Sequence, residues 1–439
     1  MKNKVNEITI ESLAYGGSGV GRLDGKAVFV PLTAPGDRVA FRRVKEKKGY
    51  IEGEQVELKE ASSLRREPPC PVCGQCGGCS WQHLPYAEQV SAKESIFRET
   101  LWRLGTVEKE CIKPIIAAPL EWNYRNRAQF RIRFVEGRLH IGFYRRKSHF
   151  VIDIDQCPLM SPLINKVIGE MKKTLFNAPF RERMPRIDIA ANEDDDRAVA
   201  IIHLTSPPSD EDMKYTKERL SPIEGLSGLF IQTAKGNRLK KVFAEGKGKL
   251  NYTLETDHQP LSLTFSPGGF TQVNYAQNRR LIEETIKWVK KWNPQKVIDL
   301  YCGIGNFSLP LALYAKEVTA VEDYEKAVED GKNNAKDNRI DNCRFIKGNV
   351  SKLARQLFDG KPDMVIIDPP REGAAQAVKM LVERGIPRLI YISCNPTTLA
   401  RDLRYLTRGG YKIVSSQAVD LFPQTYHIES ITVAEKMAF

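Results

Sequence analysis

A cysteine near the C-terminal end of the chain has the surroundings of a nucleophile. Cys394 lies in the sequence Ser393-Cys394-Asn395-Pro396, after a predicted strand and before a predicted helix. Because proline suits the first position of a helix, the thiol is expected near a helix N-terminus, whose field lowers a thiol pKa and favours the reactive thiolate. A lone cysteine in such a place more often only packs, so a catalytic role requires a partner group.

Glu429 is the candidate partner. It lies at the end of the segment 420–429, which connects the last two predicted strands. A thiolate and a carboxylate together suit methylation at carbon 5 of uracil. The thiolate adds to carbon 6, carbon 5 attacks a methyl sulfonium, and a base removes the carbon 5 proton so that the thiolate can leave. Cys394 is therefore predicted to be the nucleophile and Glu429 the base.

A cofactor loop is predicted at 299–306, because this segment follows a strand, contains Gly303 and Gly305, and opens a helix. Glu322 ends the next predicted strand, where a carboxylate can accept hydrogen bonds from ribose hydroxyls. A dinucleotide dehydrogenase would share both features, but Ser308 stands where its third glycine would be. S-adenosylmethionine, which carries ribose without phosphate, fits better.

A second turn at the carboxyl end of a strand has the sequence Asp368-Pro369-Pro370-Arg371. In amino-group methyltransferases the residue at the place of Arg371 is often an aromatic side chain that stacks on the base. An arginine there argues against adenine-amino methylation.

Composition limits the class of protein. The 439 residues carry a formal net charge of +13, and 41% are hydrophobic. These values exclude a disordered tail and favour a polyanionic partner such as nucleic acid; a merely basic enzyme is the alternative. No apolar run reaches the roughly 18 residues of a membrane span. Since the N-terminal residues also lack the apolar core of a secretory signal, no membrane association and a cytoplasmic location are expected.

Four of the nine cysteines lie within ten residues, which in a reducing compartment favours metal or cluster binding over disulfides. They are Cys70, Cys73, Cys76 and Cys79.

Three regions are predicted to position these groups. Residues 1–60 are typical of a small closed barrel with strands at 7–13, 27–30, 37–45 and 50–58, separated by turns such as 15–21. Residues 61–265 mix helix, as at 86–104, with strands. From 266 to 439 helices and strands alternate, which predicts a doubly wound parallel sheet ending in an antiparallel edge hairpin at 411–419 and 428–435.

A basic surface is predicted between residues 121 and 149, where guanidinium groups alternate with aromatic side chains. Such groups suit phosphates and unstacked bases; an amphipathic sheet with a polar outer face is the alternative. The basic residues are Arg125, Arg127, Arg131, Arg133, Arg138, Arg145, Arg146 and Lys147.

These motifs together resemble the class I RNA uracil-5 methyltransferases, a family that modifies ribosomal and transfer RNA. The similarity covers nearly the whole chain, including segments 270–274, 299–307, 368–371 and 393–396 and the Glu429 motif. It implies an α/β fold: an OB-like TRAM β-barrel at 1–60 that binds RNA, a central α+β domain at 61–265 with an iron-sulfur cluster, and a Rossmann-like methyltransferase domain at 266–439.

The resemblance also implies site residues. Contacts with S-adenosylmethionine are expected from Gln272, Tyr301, Glu322 and Asp368, with Asn306 and Asn349 as further candidates. A 4Fe-4S cluster is expected on the family pattern C-x5-C-x2-C plus a distant cysteine, matched by Cys70, Cys76, Cys79 and Cys157. Cys73 departs from the pattern, which leaves open a ligand swap or a zinc site made of the four clustered cysteines.

The barrel favours 23S ribosomal RNA as the substrate by analogy, with transfer RNA as the alternative. No obligate protein partner is inferred. Two other functions stay open: cytosine-5 methylation, which also uses a cysteine, and RNA binding by a vestigial methyltransferase fold. In each catalytic case the target base must leave its stack.

Overall fold

A computed structural model describes residues 5–233 and 239–437 of the chain, with the side chain of residue 351 left out. Residues 1–4, part of the N-terminal segment in which no secretory signal is expected, lie outside the described residues. No helix in these two ranges is long and apolar enough to cross a membrane.

The N-terminal strands form a six-stranded sheet in the order β1-β5-β6-β4-β3-β2. They are β1 (Val5–Thr9), β2 (Ser12–Leu13), β3 (Ser18–Leu23), β4 (Lys26–Pro31), β5 (Arg38–Glu46) and β6 (Tyr50–Glu60). Because β1 pairs with β5 while its continuation β2 pairs with β3, the sheet closes on itself. Its core contains Ile10, Val30 and Phe41. The predicted barrel is confirmed.

One detail of the barrel prediction is wrong. Segment 15–21 was expected to be a turn, but its second half belongs to β3. Two positions of this strand require glycine. A Cβ on Gly19 would collide with Thr33, and a Cβ on Gly21 would collide with the backbone of Thr9. These glycines allow close packing inside the barrel and do not mark a loop.

A seven-stranded sheet follows in the order β10-β9-β8-β11-β12-β13-β14. The elements of this region are α1 (Tyr86–Gly105), β7 (Ile112–Ile116), β8 (Arg127–Val135), β9 (Arg138–Tyr144), β10 (Val151–Asp153), α2 (Pro162–Leu175), β11 (Arg186–Ala191), β12 (Ala198–Leu204), α3 (Asp210–Leu220), β13 (Leu226–Thr233), β14 (Lys240–Ala244), β15 (Leu250–Leu254) and β16 (Leu261–Phe265). Helix α2 packs its apolar face on the sheet through residues such as Ile164, Val167 and Met171. Strands β15 and β16 pair only with each other among the described residues.

The C-terminal elements build an eight-stranded sheet in the order β19-β18-β17-β20-β21-β23-β22-β7. They are α4 (Tyr275–Trp292), β17 (Lys296–Leu300), α5 (Ser308–Ala312), β18 (Glu317–Glu322), α6 (Glu325–Asp337), β19 (Cys343–Lys347), α7 (Val350–Asp359), β20 (Met364–Ile367), α8 (Ala375–Arg384), β21 (Arg388–Ser393), α9 (Pro396–Arg408), β22 (Tyr411–Val419) and β23 (Glu429–Lys436). The first five strands in this order are parallel, and helices cover both faces, as predicted.

The C-terminal hairpin is not the sheet edge that the sequence predicts. Strand β7 pairs in parallel with β22 and so extends the sheet by one strand. This pairing satisfies backbone groups that an edge strand would leave free. Helix α1 packs on the same sheet through Phe97 and Leu101. Part of the segment 61–265 thus belongs to the C-terminal sheet, and the predicted domain boundaries stay a prediction.

Candidate active site

Cys394 and Glu429 are brought together by the register of two strands. Cys394 follows β21 and Glu429 begins β23, and these strands pair antiparallel with Ser393 opposite Ser430. The Ser430 hydroxyl donates to the Ser393 carbonyl at 3.1 Å, which fixes this end of the pairing. The next residues outward are the cysteine and the glutamate. The register therefore places the predicted nucleophile beside the predicted base.

Glu429 has surroundings that favour the protonated acid. Its side chain is 3% exposed, and Oε1 has no hydrogen-bond partner among the described residues. Burial raises the Glu429 pKa well above its usual range, and Asp368 raises it further while Arg371 opposes the shift. Burial likewise raises the pKa of Asp368 to about 7.

The expected lowering of the Cys394 pKa is wrong. The helix begins as predicted, with Asn395 accepting a hydrogen bond from the Thr397 amide at 3.0 Å. Burial nevertheless raises the thiol pKa to about 12, and Glu429 and Asp368 add to the shift while Arg371 opposes it. Desolvation and two carboxyl groups outweigh the helix field. The thiol is therefore protonated until ligands change these surroundings.

Three residues of the predicted cofactor loop have left-handed backbone conformations. Tyr301, Gly303 and Gly305 have φ values of 67°, 55° and 96°. A Cβ on Gly305 would lie 2.9 Å from the Phe345 ring, whereas a Cβ on Gly303 would meet nothing within 4 Å. The loop is thus closely packed on one side and open beside Gly303, where a ligand can approach the backbone.

Glu322 lies next to this open position. Its Oε2 accepts from the Gly303 amide at 3.1 Å, and its Oε1 accepts from the Tyr324 amide at 2.8 Å. Each carboxylate oxygen keeps a lone pair for a further donor. Ribose hydroxyls are donors of the right kind at this place in such a sheet.

Asp299 is a buried carboxyl group that sequence reasoning did not single out. It is fully buried in β17 and accepts from the Ser308 hydroxyl, and its Oδ1 has no hydrogen-bond partner in the part of the chain that the structure describes. Burial raises its pKa to about 8, and Asp368 and Glu322 add to the shift. The neighbouring parallel strands β17, β18 and β20 therefore carry the carboxyl groups of Asp299, Glu322 and Asp368 at or near their carboxyl ends. This arrangement suits a ligand with positive charge. The sequence signal was the acidic residue in an otherwise apolar strand.

The other predicted cofactor contacts lie in three different settings. Gln272 lies between β16 and α4, and its carbonyl accepts from Asn126 Nδ2 at 3.1 Å. Asn306 exchanges amide hydrogen bonds with Asn278 and also accepts from Tyr252, so its amide holds the loop to the neighbouring elements. Helix α5, which the loop was predicted to open, begins at Ser308. Asn349 is exposed at the start of α7.

The five cysteines of the predicted cluster region line one cavity of about 430 Å³. They are Cys70, Cys73, Cys76, Cys79 and Cys157. Burial raises the pKa of Cys157 to about 11 and also raises that of Cys79, and the Cys157 thiol adds to the shift of Cys79. Across residues 5–233 and 239–437, no three His, Cys, Asp or Glu side chains form a group that could hold a metal ion.

The predicted basic surface is only in part available for RNA. Arg127 and Arg131 lie on one face of β8, alternating with buried Ala128 and Phe130 as expected. Arg127, however, donates to the Gly269 carbonyl at 2.9 Å, and burial lowers its pKa. Arg131 stacks over the Tyr144 ring at 5.1 Å. Arg127 thus contributes to packing, whereas the exposed part of the face is built around Tyr144.

Comparison with known proteins places the whole chain in one family. The profile of the tRNA (uracil-5-)-methyltransferase family matches residues 85–437, and the TRAM domain of tRNA (uracil(54)-C(5))-methyltransferase matches residues 7–64. An uncharacterized RNA methyltransferase of Halalkalibacterium halodurans is 35% identical, covering 99% of this chain and 97% of the relative. A 23S rRNA (uracil(1939)-C(5))-methyltransferase of Legionella pneumophila is 35% identical, covering 97% and 96%.

A solved structure shares the complete fold. The tRNA (uracil-54, C5)-methyltransferase of Pyrococcus abyssi, solved with S-adenosyl-L-homocysteine, superimposes with a TM-score of 0.76 at 24% identity. The match covers 98% of this chain and 99% of that one. Barrel, central region and methyltransferase sheet therefore occur together in both proteins. The chain belongs to the tRNA (uracil-5-)-methyltransferase family.

Proposed function

We propose that this protein transfers a methyl group from S-adenosylmethionine to carbon 5 of a uridine in RNA. The observation that carries the proposal is the antiparallel register of β21 and β23, which places Cys394 beside Glu429. Membership of the family and the names of the relatives support the same reaction.

S-adenosylmethionine would supply the electrophilic methyl group. The open backbone at Gly303 and the carboxylate of Glu322 fit its ribose, and the carboxyl groups of Asp299 and Asp368 fit its positive charge. Tyr301 and Gln272 are proposed as further contacts. Asn306 and Asn349 are less well placed, since the Asn306 amide already makes three hydrogen bonds to neighbouring side chains and the Asn349 side chain is exposed.

The protein's own groups account for the proton transfers. Cys394, which is only half-buried, passes its proton to solvent, and its sulfur then bonds to carbon 6 of the base while the electron pair of the carbon 5–carbon 6 double bond moves to carbon 5 and the adjoining carbonyl. After carbon 5 has been methylated, Glu429 in its carboxylate form takes the carbon 5 proton, and the bond from sulfur to carbon 6 breaks. Positive charge bound near Asp368 lowers the pKa of thiol and carboxyl alike, so occupied ligand sites favour both reactive forms.

The experiment is incubation of anaerobically purified protein with labelled S-adenosylmethionine and unmodified total RNA, followed by nucleoside mass spectrometry. We expect labelled 5-methyluridine from the wild type and from Cys111→Ala, a control thiol outside the site. Cys394→Ala should bind the cofactor but transfer no methyl group. Label in cytidine, or full activity of Cys394→Ala, would contradict the proposal. Cofactor binding without any transfer would favour an RNA-binding protein.

We further propose 23S ribosomal RNA as the substrate, since relatives of 34 to 35% identity over nearly the full chain are named for that RNA. Such a substrate implies a cytoplasmic site of action. Mapping the labelled nucleotide tests the proposal, and a label in transfer RNA would refute it while leaving the chemistry intact.

A 4Fe-4S cluster held by Cys70, Cys76, Cys79 and Cys157 is proposed for the cysteine-lined cavity. The size of the cavity and its lining by all four thiols support a group larger than one ion, and the lack of a three-ligand ion site among the described residues disfavours a single zinc. Its proposed role is to shape the RNA-binding region and not to take part in methyl transfer.

A further inference from the structure

A turn of the N-terminal barrel reaches the candidate active site. This turn joins β2 to β3 and contains Tyr15, Gly16 and Gly17. The Gly17 amide donates to the Ala14 carbonyl at 3.0 Å, and the Ala14 amide donates to the Ser18 carbonyl at 2.9 Å. Gly16 and Gly17 have φ values of 101° and 88°, which other residues rarely adopt. The turn therefore has a defined shape with Tyr15 at its tip.

Contacts with two distant segments hold this turn in place. The buried Trp81 donates through Nε1 to the Gly17 carbonyl at 3.1 Å. A Cβ on Gly17 would lie 2.9 Å from Ser80 Cβ and 3.1 Å from Tyr426 Cδ1, so only glycine permits this approach. The barrel, the end of the cysteine-rich segment and the loop that leads to Glu429 thus meet at one point.

The ring of Tyr15 lies against the loop that leads to Glu429. It packs edge-on against Tyr426 with ring centroids 5.6 Å apart, and it contacts the apolar cluster that contains Ile428. Burial raises the Tyr15 pKa to about 12, and the hydroxyl also responds to the charges of Cys394 and Glu429. Part of the side chain is still exposed. An aromatic surface is therefore available next to the groups that act on the base.

We propose that Tyr15 forms part of the wall of the target-uridine pocket, where its ring contacts the extruded base and holds it beside Cys394. This inference rests on the proposed function. An extruded base loses its stacking neighbours, and aromatic side chains commonly replace them. The barrel would then act on the reacting nucleotide itself, in addition to any contact with the RNA backbone.

Steady-state kinetics with the 23S RNA fragment that the wild type methylates tests the inference. Tyr15→Ala should lower kcat/KM by about tenfold, in the range that stacking on one base supplies. Tyr15→Phe, which keeps the ring, should stay within about threefold of the wild type on the same reasoning. Tyr405→Ala removes a 44% exposed aromatic side chain of α9 and serves as the control. Calorimetry should show unchanged binding of S-adenosylmethionine in all variants.

Covalent capture supplies a second readout that a purely structural role would not change. RNA with 5-fluorouridine at the target position lacks the proton that the base removes, so the adduct with Cys394 persists. At saturating RNA, Tyr15→Ala should form this adduct more slowly. Tyr15→Leu fills the space without an aromatic face and should also form the adduct more slowly. This second variant separates the loss of the aromatic ring from a folding defect in the alanine variant.

Two outcomes would overturn the inference in distinguishable ways. Alanine and leucine variants with wild-type kcat/KM and adduct rates would show that the ring does not contact the base, while the proposed function stands. A wild type that forms neither 5-methyluridine nor the adduct would remove the basis of both proposals.

Discussion

Lys93 Nζ donates to Asp420 Oδ1 at 2.6 Å, and both side chains are fully buried. The same ammonium group donates to the Phe422 carbonyl at 2.9 Å, and the Tyr86 hydroxyl donates to Asp420 Oδ2 at 3.0 Å. Helix α1 is thereby joined to the loop that leads from β22 to Glu429. The position of the proposed base depends on a helix more than three hundred residues earlier in the chain.

Lys93→Met should destabilise the protein by about 3 to 5 kcal/mol, because it leaves the Asp420 carboxylate buried without its partner. Denaturant unfolding measures this loss. The matched control is Arg103→Gln, which breaks an exposed pair with Glu99 and should cost at most about 1 kcal/mol. Equal effects of the two variants would show that the buried pair does not anchor the loop.

Glu429→Gln should trap a covalent complex with RNA. The amide cannot accept the carbon 5 proton, so the bond between Cys394 and carbon 6 is not released. A protein band shifted on a denaturing gel in the presence of S-adenosylmethionine and RNA reports the complex. Cys394→Ala/Glu429→Gln is the control and should show no shift. Normal turnover by Glu429→Gln would assign the base to another residue.

Asp299→Asn should change the pH dependence of stability. Folding raises the Asp299 pKa to about 8, from about 4 in an unfolded chain, so the folded state favours the protonated carboxyl. The contribution of this carboxyl group to the free energy of unfolding is fully present below about pH 4 and is lost as the pH rises towards 8. Asparagine carries no charge at any of these pH values, so the variant escapes this loss.

Urea unfolding at pH 5 and pH 8 measures the difference. The difference in free energy of unfolding between Asp299→Asn and the wild type should favour the variant more at pH 8 than at pH 5, by about 1 to 3 kcal/mol. The exposed Asp341→Asn supplies the control and should show no such trend. A pH-independent difference for Asp299→Asn would mean that this carboxyl is ionised in the folded protein.

Cys157→Ser should lose iron and the brown colour of the anaerobically purified protein, whereas Cys73→Ser should keep both. The reason is that serine replaces a proposed cluster ligand only in the first variant. Iron and sulfide analysis with visible absorption spectra is the measurement. The reverse pattern would assign Cys73 as a ligand, and zinc in place of iron would refute the cluster.

The elements of the C-terminal half could be predicted closely from local patterns. Strand β22 has the predicted bounds 411–419, and β23 begins at 429, one residue after the predicted start. The apolar period and the caps at Asn395 and Asn349 lie within each element, so no distant contact is needed to define it. Strand β7 was missed because its pairing with β22 involves residues far apart in the sequence.

The spacing of residues in α1 indicates that Lys93 is buried. It continues the spacing of four residues that links Gln89, Phe97 and Leu101 along the buried side of α1. A lysine in an apolar stripe indicates either an error in the helix phase or a buried acidic partner. Sequence alone could not name that partner, because Asp420 reaches it only through the fold.

The amino-acid sequence by itself determined the order of the elements, the cofactor loop and the identities of Cys394 and Glu429, since these depend on local periodicity and on motifs. Only the tertiary structure decided that the antiparallel register of β21 and β23 joins the two residues and that Tyr15 packs on Tyr426 in the loop that leads to Glu429. It also reversed the expected pKa shift of Cys394. Burial and charge at a site are sums over neighbours from distant segments, and no local pattern contains that sum.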